Sequence, residues 1–455
     1  MKGVKPLMTS ANVTAAAPGI TLCAIRAGRF KTSRLLLQMA LPLRLESPEE
    51  TAANALLPFI LHRSCAAYPR PRLLESRLAG LYGARLSAHV QKQGEAQVLT
   101  IALTAIDDRF ALAGEAVAGG CADLLLDLLF EPNLEDGIFP EQSGANATFS
   151  AESVALEKRL LIEQLESEEG NKCAYAANRL DALMCSREAY GLNPRGEKDA
   201  VAALTPEDIT RAWKNALETA PMQFTLVADF DGTKPAGSET VREAIAARFA
   251  GQARDPAMPR TEFIPAAGEE KLVREEQPIE QAKLFIGLRA GMKCLWDRQY
   301  PLMVMTDLFG GGPYSKLFLN VREKMSLCYA VQAQFLRYKG LIVVRSGVDT
   351  EKAPEARAAI LGQLENMRAG DFTGEELATS IRSLCDSIRT VADTPESLAN
   401  WYSTGLVCGE HTSPEEMCGR ISSVTREEVI AAAKGVSLDT IYLLASSSEG
   451  KEAAQ

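Results

Sequence analysis

Apolar positions along this chain recur with two periods, and the order in which those periods alternate is written twice. A nearly continuous apolar run at 33–42 precedes a stretch, 50–62, whose apolar residues fall at helical spacing; 282–290 precedes a second such stretch at 298–309. The first member of each pair predicts a strand and the second a helix. Segments 81–90 and 97–103 alternate as the arms of a hairpin, and 328–335 with 340–346 form the counterpart. Each hairpin leads into a helix, at 110–130 and 352–369. Long helices follow at 153–168 and 373–391, the second opened by Thr373 with Glu376 three residues on, a capping box. Thr205 and Thr425 each open a polar turn into a helix, at 210–217 and 430–434, before closing strands at 223–228 and 440–445.

This order predicts an α+β protein of two homologous domains, each a mixed or antiparallel sheet with helices packed on one face. The offset between matched positions is 249 at Leu35 and Leu284 and 220 at Thr205 and Thr425, so the first half carries the longer insertions. The expected domains are 1–235 and 279–455. Between them, 236–278 is rich in Ala, Gly and alternating charge and is punctuated by Pro256, Pro259, Pro265 and Pro278. That composition predicts a linker with one short helix at 238–250.

Composition narrows the function classes. A chain of 455 residues, 46% hydrophobic and 24% charged, has the material for several cores. Its net charge of −10 argues against a nucleic-acid partner, which would call for a clustered positive surface. No apolar run approaches the roughly 20 residues of a membrane helix, so no membrane partner is expected. Lys2 and Lys5 precede a stretch, 8–21, too rich in Ser, Thr, Asn and Pro for the apolar core of a signal peptide. Ten cysteines without a Cys-x-x-Cys pair, mostly among apolar neighbours, predict buried free thiols and a cytoplasmic setting.

The segment 308–329 concentrates the candidate chemistry. It joins Gly310, Gly311 and Gly312 to an amphipathic helix bearing Arg322, with Tyr329 at a fixed spacing beyond it. The glycines lack the Gly-Lys-Ser ending of a phosphate loop, and on their own they read as a flexible connection. No Gly-x-Ser-x-Gly elbow occurs in the chain. A single-zinc hydrolase needs three protein ligands and an open position, and the chain has only three histidines, His62, His89 and His411.

The stretch from Val321 through Arg322 to Tyr329, following the glycines, resembles the second domain of the pitrilysin and mitochondrial-processing-peptidase superfamily. Members of that superfamily that cut peptides carry a His-x-x-Glu-His zinc motif in their first domain, and no such motif is present here. Matched by position, Pro58 replaces the first ligand, Leu61 replaces the catalytic glutamate, and His62 alone remains. Glu157 matches the first of two downstream glutamates and Gln164 falls at the ligand position, while Glu163 is one residue off, about 100° around the helix. The resemblance therefore implies neither metal nor other cofactor. It runs from about 22 to 446, and 157–203 is similar to a bacterial branch without the zinc motif, described as processing-type peptidases or as factors associated with aminopentanol modification of elongation factor P.

What the resemblance implies is a noncatalytic, zinc-free subunit of a heterodimeric peptidase, in which Gly310, Gly311, Gly312, Arg322 and Tyr329 line a chamber for extended peptides. Arg322 would give forked hydrogen bonds to substrate carbonyls and Tyr329 would donate its hydroxyl. The competing structural expectation is that Arg322 pairs with Glu323 or with a neighbouring domain and Tyr329 starts a buried strand. Its partner would be a zinc-bearing homologous subunit or a second copy of itself. The alternative function is a non-proteolytic homodimeric scaffold that acts on a translation factor.

Overall fold

The computed structural model describes residues 11–135, 147–230 and 238–447. Lys2, Lys5 and the first two residues of the expected linker lie outside them. The first half runs β1 (Ala11–Ala17), β2 (Ile20–Arg26), β3 (Thr32–Pro42), α1 (Pro48–Leu61), α2 (Pro71–Gly80), β4 (Arg85–Gln93), β5 (Ala96–Ile106), α3 (Val117–Phe130), α4 (Ala151–Gly170), α5 (Lys172–Met184), α6 (Lys198–Ala203), α7 (Pro206–Thr219), β6 (Met222–Ala228) and α8 (Ser238–Phe249). The second runs β7 (Lys271–Gln277), β8 (Ala282–Arg289), α9 (Gln299–Gly310), β9 (Ala330–Leu336), β10 (Leu341–Val348), α10 (Ala353–Ala369), α11 (Gly374–Thr390), α12 (Pro395–Ser403), α13 (Gly405–Cys408), α14 (Pro414–Ser422), α15 (Arg426–Gly435) and β11 (Ser437–Ser446).

Two mixed sheets result. The first has strand order β1-β2-β6-β3-β5-β4 and the second β7-β11-β8-β10-β9. From β2 onward the two orders are the same, and each contains one parallel pair, β2 with β6 and β7 with β11, among antiparallel neighbours. The α+β class and the duplicated topology stand as the apolar pattern predicts. Both threonine turns are capping boxes: Thr205 with Asp208 before α7, and Thr425 with Glu428 before α15.

By contact the described chain falls into two units, and their membership crosses the two halves of the sequence. Unit 1 takes the described residues within 11–165, 193–260 and 391–415; unit 2 takes those within 166–192, 261–390 and 416–447. Helix α5 thus belongs with the second sheet and α12 with the first. In unit 1, Leu398, Ala399 and Tyr402 of α12 pack on Cys23, Ile25, Leu36, Ala102 and Val227, while Leu35, Leu37, Met39 and Leu41 of β3 face the larger core on the other side. In unit 2, Ala176 and Leu180 of α5 pack on Phe285, Val343, Tyr442 and Leu444. Each sheet is therefore covered on its second face by one helix, beyond the one-face packing the sequence predicts. This is why β3 and β10 read as continuous apolar runs rather than alternating ones.

Unit 2 also buries a four-residue charge network. Arg289 on β8 reaches Asp439 at 2.8 Å and Glu188 at 2.6 Å, and the Lys339 ammonium reaches Glu188 at 2.7 Å. Two cations face two carboxylates, each at most 4% exposed.

Two elements differ from the sequence reading. The expected helix 110–130 starts only at Val117; before it, two short 3₁₀ turns carry Ala113 in the left-handed region at φ 52°. Asp107 caps the first turn by accepting from the Arg109 backbone N–H, and Gly114 interrupts the second, so regular helix cannot begin earlier. Strand β7 lies inside the stretch 236–278 read as linker. It is an edge strand with a single neighbour, and its sequence, Lys-Leu-Val-Arg-Glu-Glu-Gln, exposes every second side chain.

Candidate functional site

Unit 1 holds the positions matched to a zinc site. Pro58 lies inside α1 and is buried among core residues. Leu61 is fully buried, so its side chain joins the core, where an apolar residue contributes about 1.5–3 kcal/mol and an unpaired carboxylate would be costly. His62 caps the helix; its Nδ1 lies 2.6 Å from the Phe59 carbonyl oxygen and its ring meets the Phe59 ring edge-on. Glu157 on α4 is 4% exposed and forms an ion pair with Arg63, the residue after His62. Two turns further along α4, Gln164 is exposed.

These residues do not fit a zinc ion. Zinc needs three donors converging on one point, and among the described residues no group of three His, Cys, Asp or Glu side chains does so. The one buried carboxylate at the position is already neutralised by a guanidinium, a pairing the sequence reading missed. A cleft of about 500 Å³ beside it is walled by His62, Arg63, Glu75 and Arg85 over apolar Leu74 and Leu78.

Unit 2 brings Gly310, Gly311, Gly312, Arg322 and Tyr329 together on one cavity of about 660 Å³. The glycines are there for close approach. A Cβ on Gly310 would stand 2.6 Å from the Ala333 Cβ, and one on Gly311 would stand 2.2 Å from the Asp307 carboxylate. The Tyr314 hydroxyl donates to that carboxylate at 2.9 Å, and the Gly311 N–H donates to the Asp307 carbonyl at 2.7 Å. The loop is thus pinned against β9 and α9, which corrects its reading as a flexible connection.

From the loop the chain enters a π-helical segment, Leu317–Lys324, a wide turn that is rare and recurs at functional sites. Leu317 and Val321 anchor it in the core, and Asn320 donates to the Gln363 side chain at 2.7 Å. Arg322 projects the other way. Its guanidinium lies 4.5 Å over the Phe318 ring and 3.7 Å from Glu323, too far for a hydrogen bond. Ser326 then adopts φ 53° and redirects the backbone into β9.

Tyr329 is 54% exposed, so it does not start a buried strand. Its hydroxyl donates to Asp349 at 2.8 Å, and that bond raises the phenol above its ordinary range, which keeps the proton in place. With its proton committed, the oxygen is left as an acceptor rather than the donor the sequence suggested. The floor of the cavity is one face of β8, β10 and the edge strand β9, and the first turn of α5 forms a wall. Lys283 and Arg345 on that floor are further candidates the sequence reading missed. The available signal was a basic residue interrupting two apolar strands.

The family described as peptidase M16 inactive domain matches residues 203–384. Over 427 residues the chain is 30% identical to the probable inactive metalloprotease YmfF of Bacillus subtilis, a match that spans 94% of this chain and 96% of that one. This chain belongs to the M16 peptidase family. Its disabled metal position places it in the noncatalytic branch. An uncharacterised zinc protease of Streptomyces coelicolor shares 26% identity over 295 residues, 63% of this M16 chain and 62% of that one. Among solved structures, a conserved protein from Enterococcus faecalis superposes with a TM-score of 0.83 at 24% identity, covering 96% of this chain and 99% of that one. A peptidase M16 inactive domain from Pseudomonas fluorescens does so with a TM-score of 0.76 at 17% identity, covering 96% and 98%. Both show the fold.

Proposed function

We propose that this M16 chain is the zinc-free half of a two-chain peptidase, which grips an extended peptide for a zinc-bearing homologous subunit in the cytoplasm. The observation that carries this reading is the contrast between the two sets of positions. Those matched to the metal site are consumed by the core, an ion pair and solvent. Those of the glycine, Arg322 and Tyr329 set converge on one open cavity. Arg322 supplies donors for peptide carbonyls, Tyr329 supplies an acceptor for a peptide N–H, and the outer edge of β9 offers unpaired backbone groups in strand register.

The test is co-expression with a zinc-bearing homologue from the same genome. A one-to-one complex that cleaves unstructured peptides, with zinc absent from the isolated chain by elemental analysis, is the expected result. A homodimer that ignores the homologue would favour the scaffold reading instead. One tightly held zinc in the chain alone, lost on His62→Ala, would overturn the noncatalytic assignment.

A further inference from the structure

The cavity of unit 2 is lined by three basic residues, Lys283, Arg322 and Arg345, and by no carboxylate. This is unusual for a chain with a net charge of −10. Elsewhere in unit 2 several buried or partly buried cations do have acidic partners: Arg179 with Glu275, Arg289 with Asp439, Lys316 with Glu376 and Lys339 with Glu188. Among the described residues neither Lys283 nor Arg345 makes an ion pair. Glu323 and Asp349 stand near Arg322 and Tyr329, and Asp349 is engaged by the Tyr329 hydroxyl.

Strand register places the two free cations together. Lys283 is opposite Gly347 on the neighbouring strand, and Arg345 lies two residues before Gly347, so both side chains leave the same face of the sheet. Their positions are diagonal neighbours, within about 8 Å. Arg345 is also opposite Phe285 on one side and Gln332 of the edge strand β9 on the other, so one neutral polar residue separates its charge from the open edge. Phe285 and Ala177 supply apolar surface beside it. A low-dielectric wall strengthens the field of these charges in the cavity over what they would exert on an open surface.

We propose that the ligand of this cavity is an acidic peptide segment whose side-chain carboxylates seat against Lys283 and Arg345. The proposal rests on the reading of the cavity as a peptide site and adds a sequence preference to it. Backbone contacts at Arg322, Tyr329 and the edge of β9 are indifferent to side chains. The floor charges select.

The experiment measures binding of the full chain to three fluorescently labelled extended peptides of alternating Val and Glu, Val and Gln, and Val and Lys. The glutamate peptide is expected to bind about tenfold tighter than the glutamine peptide, the sum of two partly exposed ion pairs, and the lysine peptide weakest. Lys283→Gln with Arg345→Gln should bring the glutamate and glutamine peptides within about twofold of each other. The exchanged pair Lys283→Arg with Arg345→Lys should restore the preference, which separates lost charge from lost structure. Binding that depends on Arg322 and Tyr329 but ignores peptide charge would overturn the acidic preference alone. No binding of any peptide, or binding untouched by Arg322→Ala with Tyr329→Phe, would overturn the cavity reading together with it.

Discussion

At the scale of single residues, the sharpest expectation concerns Arg322 and Tyr329. The Arg322 guanidinium stands too far from Glu323 for a hydrogen bond, and Tyr329, which also lines the cavity, donates its hydroxyl proton to Asp349. In a co-purified complex with a zinc-bearing subunit, Arg322→Ala with Tyr329→Phe should lower peptide turnover about ten- to a hundredfold, as expected for two lost hydrogen bonds of which one is charged. Assembly should be unaffected. Unchanged turnover would reduce both residues to structural parts, and failed assembly would move them to a subunit interface. These positions were legible in the sequence because they sit a fixed number of residues apart in one segment, as were the missing ligands at Pro58, Leu61 and Gln164. The Arg63 pairing with Glu157 was not, because 94 residues separate the partners. Lys283 and Arg345 each interrupt an apolar strand, a signal that does not by itself bring them together. Each looks like an ordinary strand charge until the register sets them on one face.

At the scale of elements, the strands and helices of both halves were legible wherever one side of an element met the core. The failures fall where that rule breaks. Strand β7 has one neighbour and a polar exposed face, so it lacks the apolar signal of an interior strand. The turn after α5 was opaque for another reason, since it is held by charge. Burial alone would raise the Glu188 carboxyl, but the bonds from Arg289 and Lys339 outweigh it and hold the group below the usual range. Its contribution to stability is therefore full above the ordinary glutamate value of about 4.3 and is lost as pH falls through the depressed value in the fold. Glu188→Gln leaves two buried cations with one carboxylate and should cost roughly 3–5 kcal/mol. Adding Lys339→Met to that variant should recover part of the loss, because it removes the buried charge that has lost its carboxylate. Thermal unfolding of the wild type and both variants, followed from neutral to acidic pH, checks this. A wild type that loses no more stability on acidification than Glu188→Gln would show that the network does not hold the turn.

At the scale of the whole molecule, the sequence displays the duplication but hides the exchange within it. Two matched orders of elements suggest two domains divided by the stretch 236–278, yet the second face of each sheet is covered by a helix encoded in the opposite half. Nothing local in α12 announces this, since an amphipathic helix records that it has an apolar face and not which sheet that face meets. The energetic consequence is large. Leu398 and Tyr402 are almost fully buried on the first sheet, and two such side chains contribute about 3–6 kcal/mol, a substantial part of the roughly 5–15 kcal/mol that holds an ordinary domain together. A fragment of residues 1–260 would expose Ile25, Leu36 and Val227, and a fragment of residues 261–455 would expose Phe285, Val343 and Leu444. Each fragment expressed alone should aggregate or melt without cooperativity. Co-expressed, they should associate into a folded complex, because each carries the helix that the other's sheet lacks. Size-exclusion chromatography and thermal melts of the separate and combined fragments decide the matter. If either fragment alone is a monomer with a sharp transition, its sheet does not require the exchanged helix, and the second-face packing is an addition to a domain that was already sufficient.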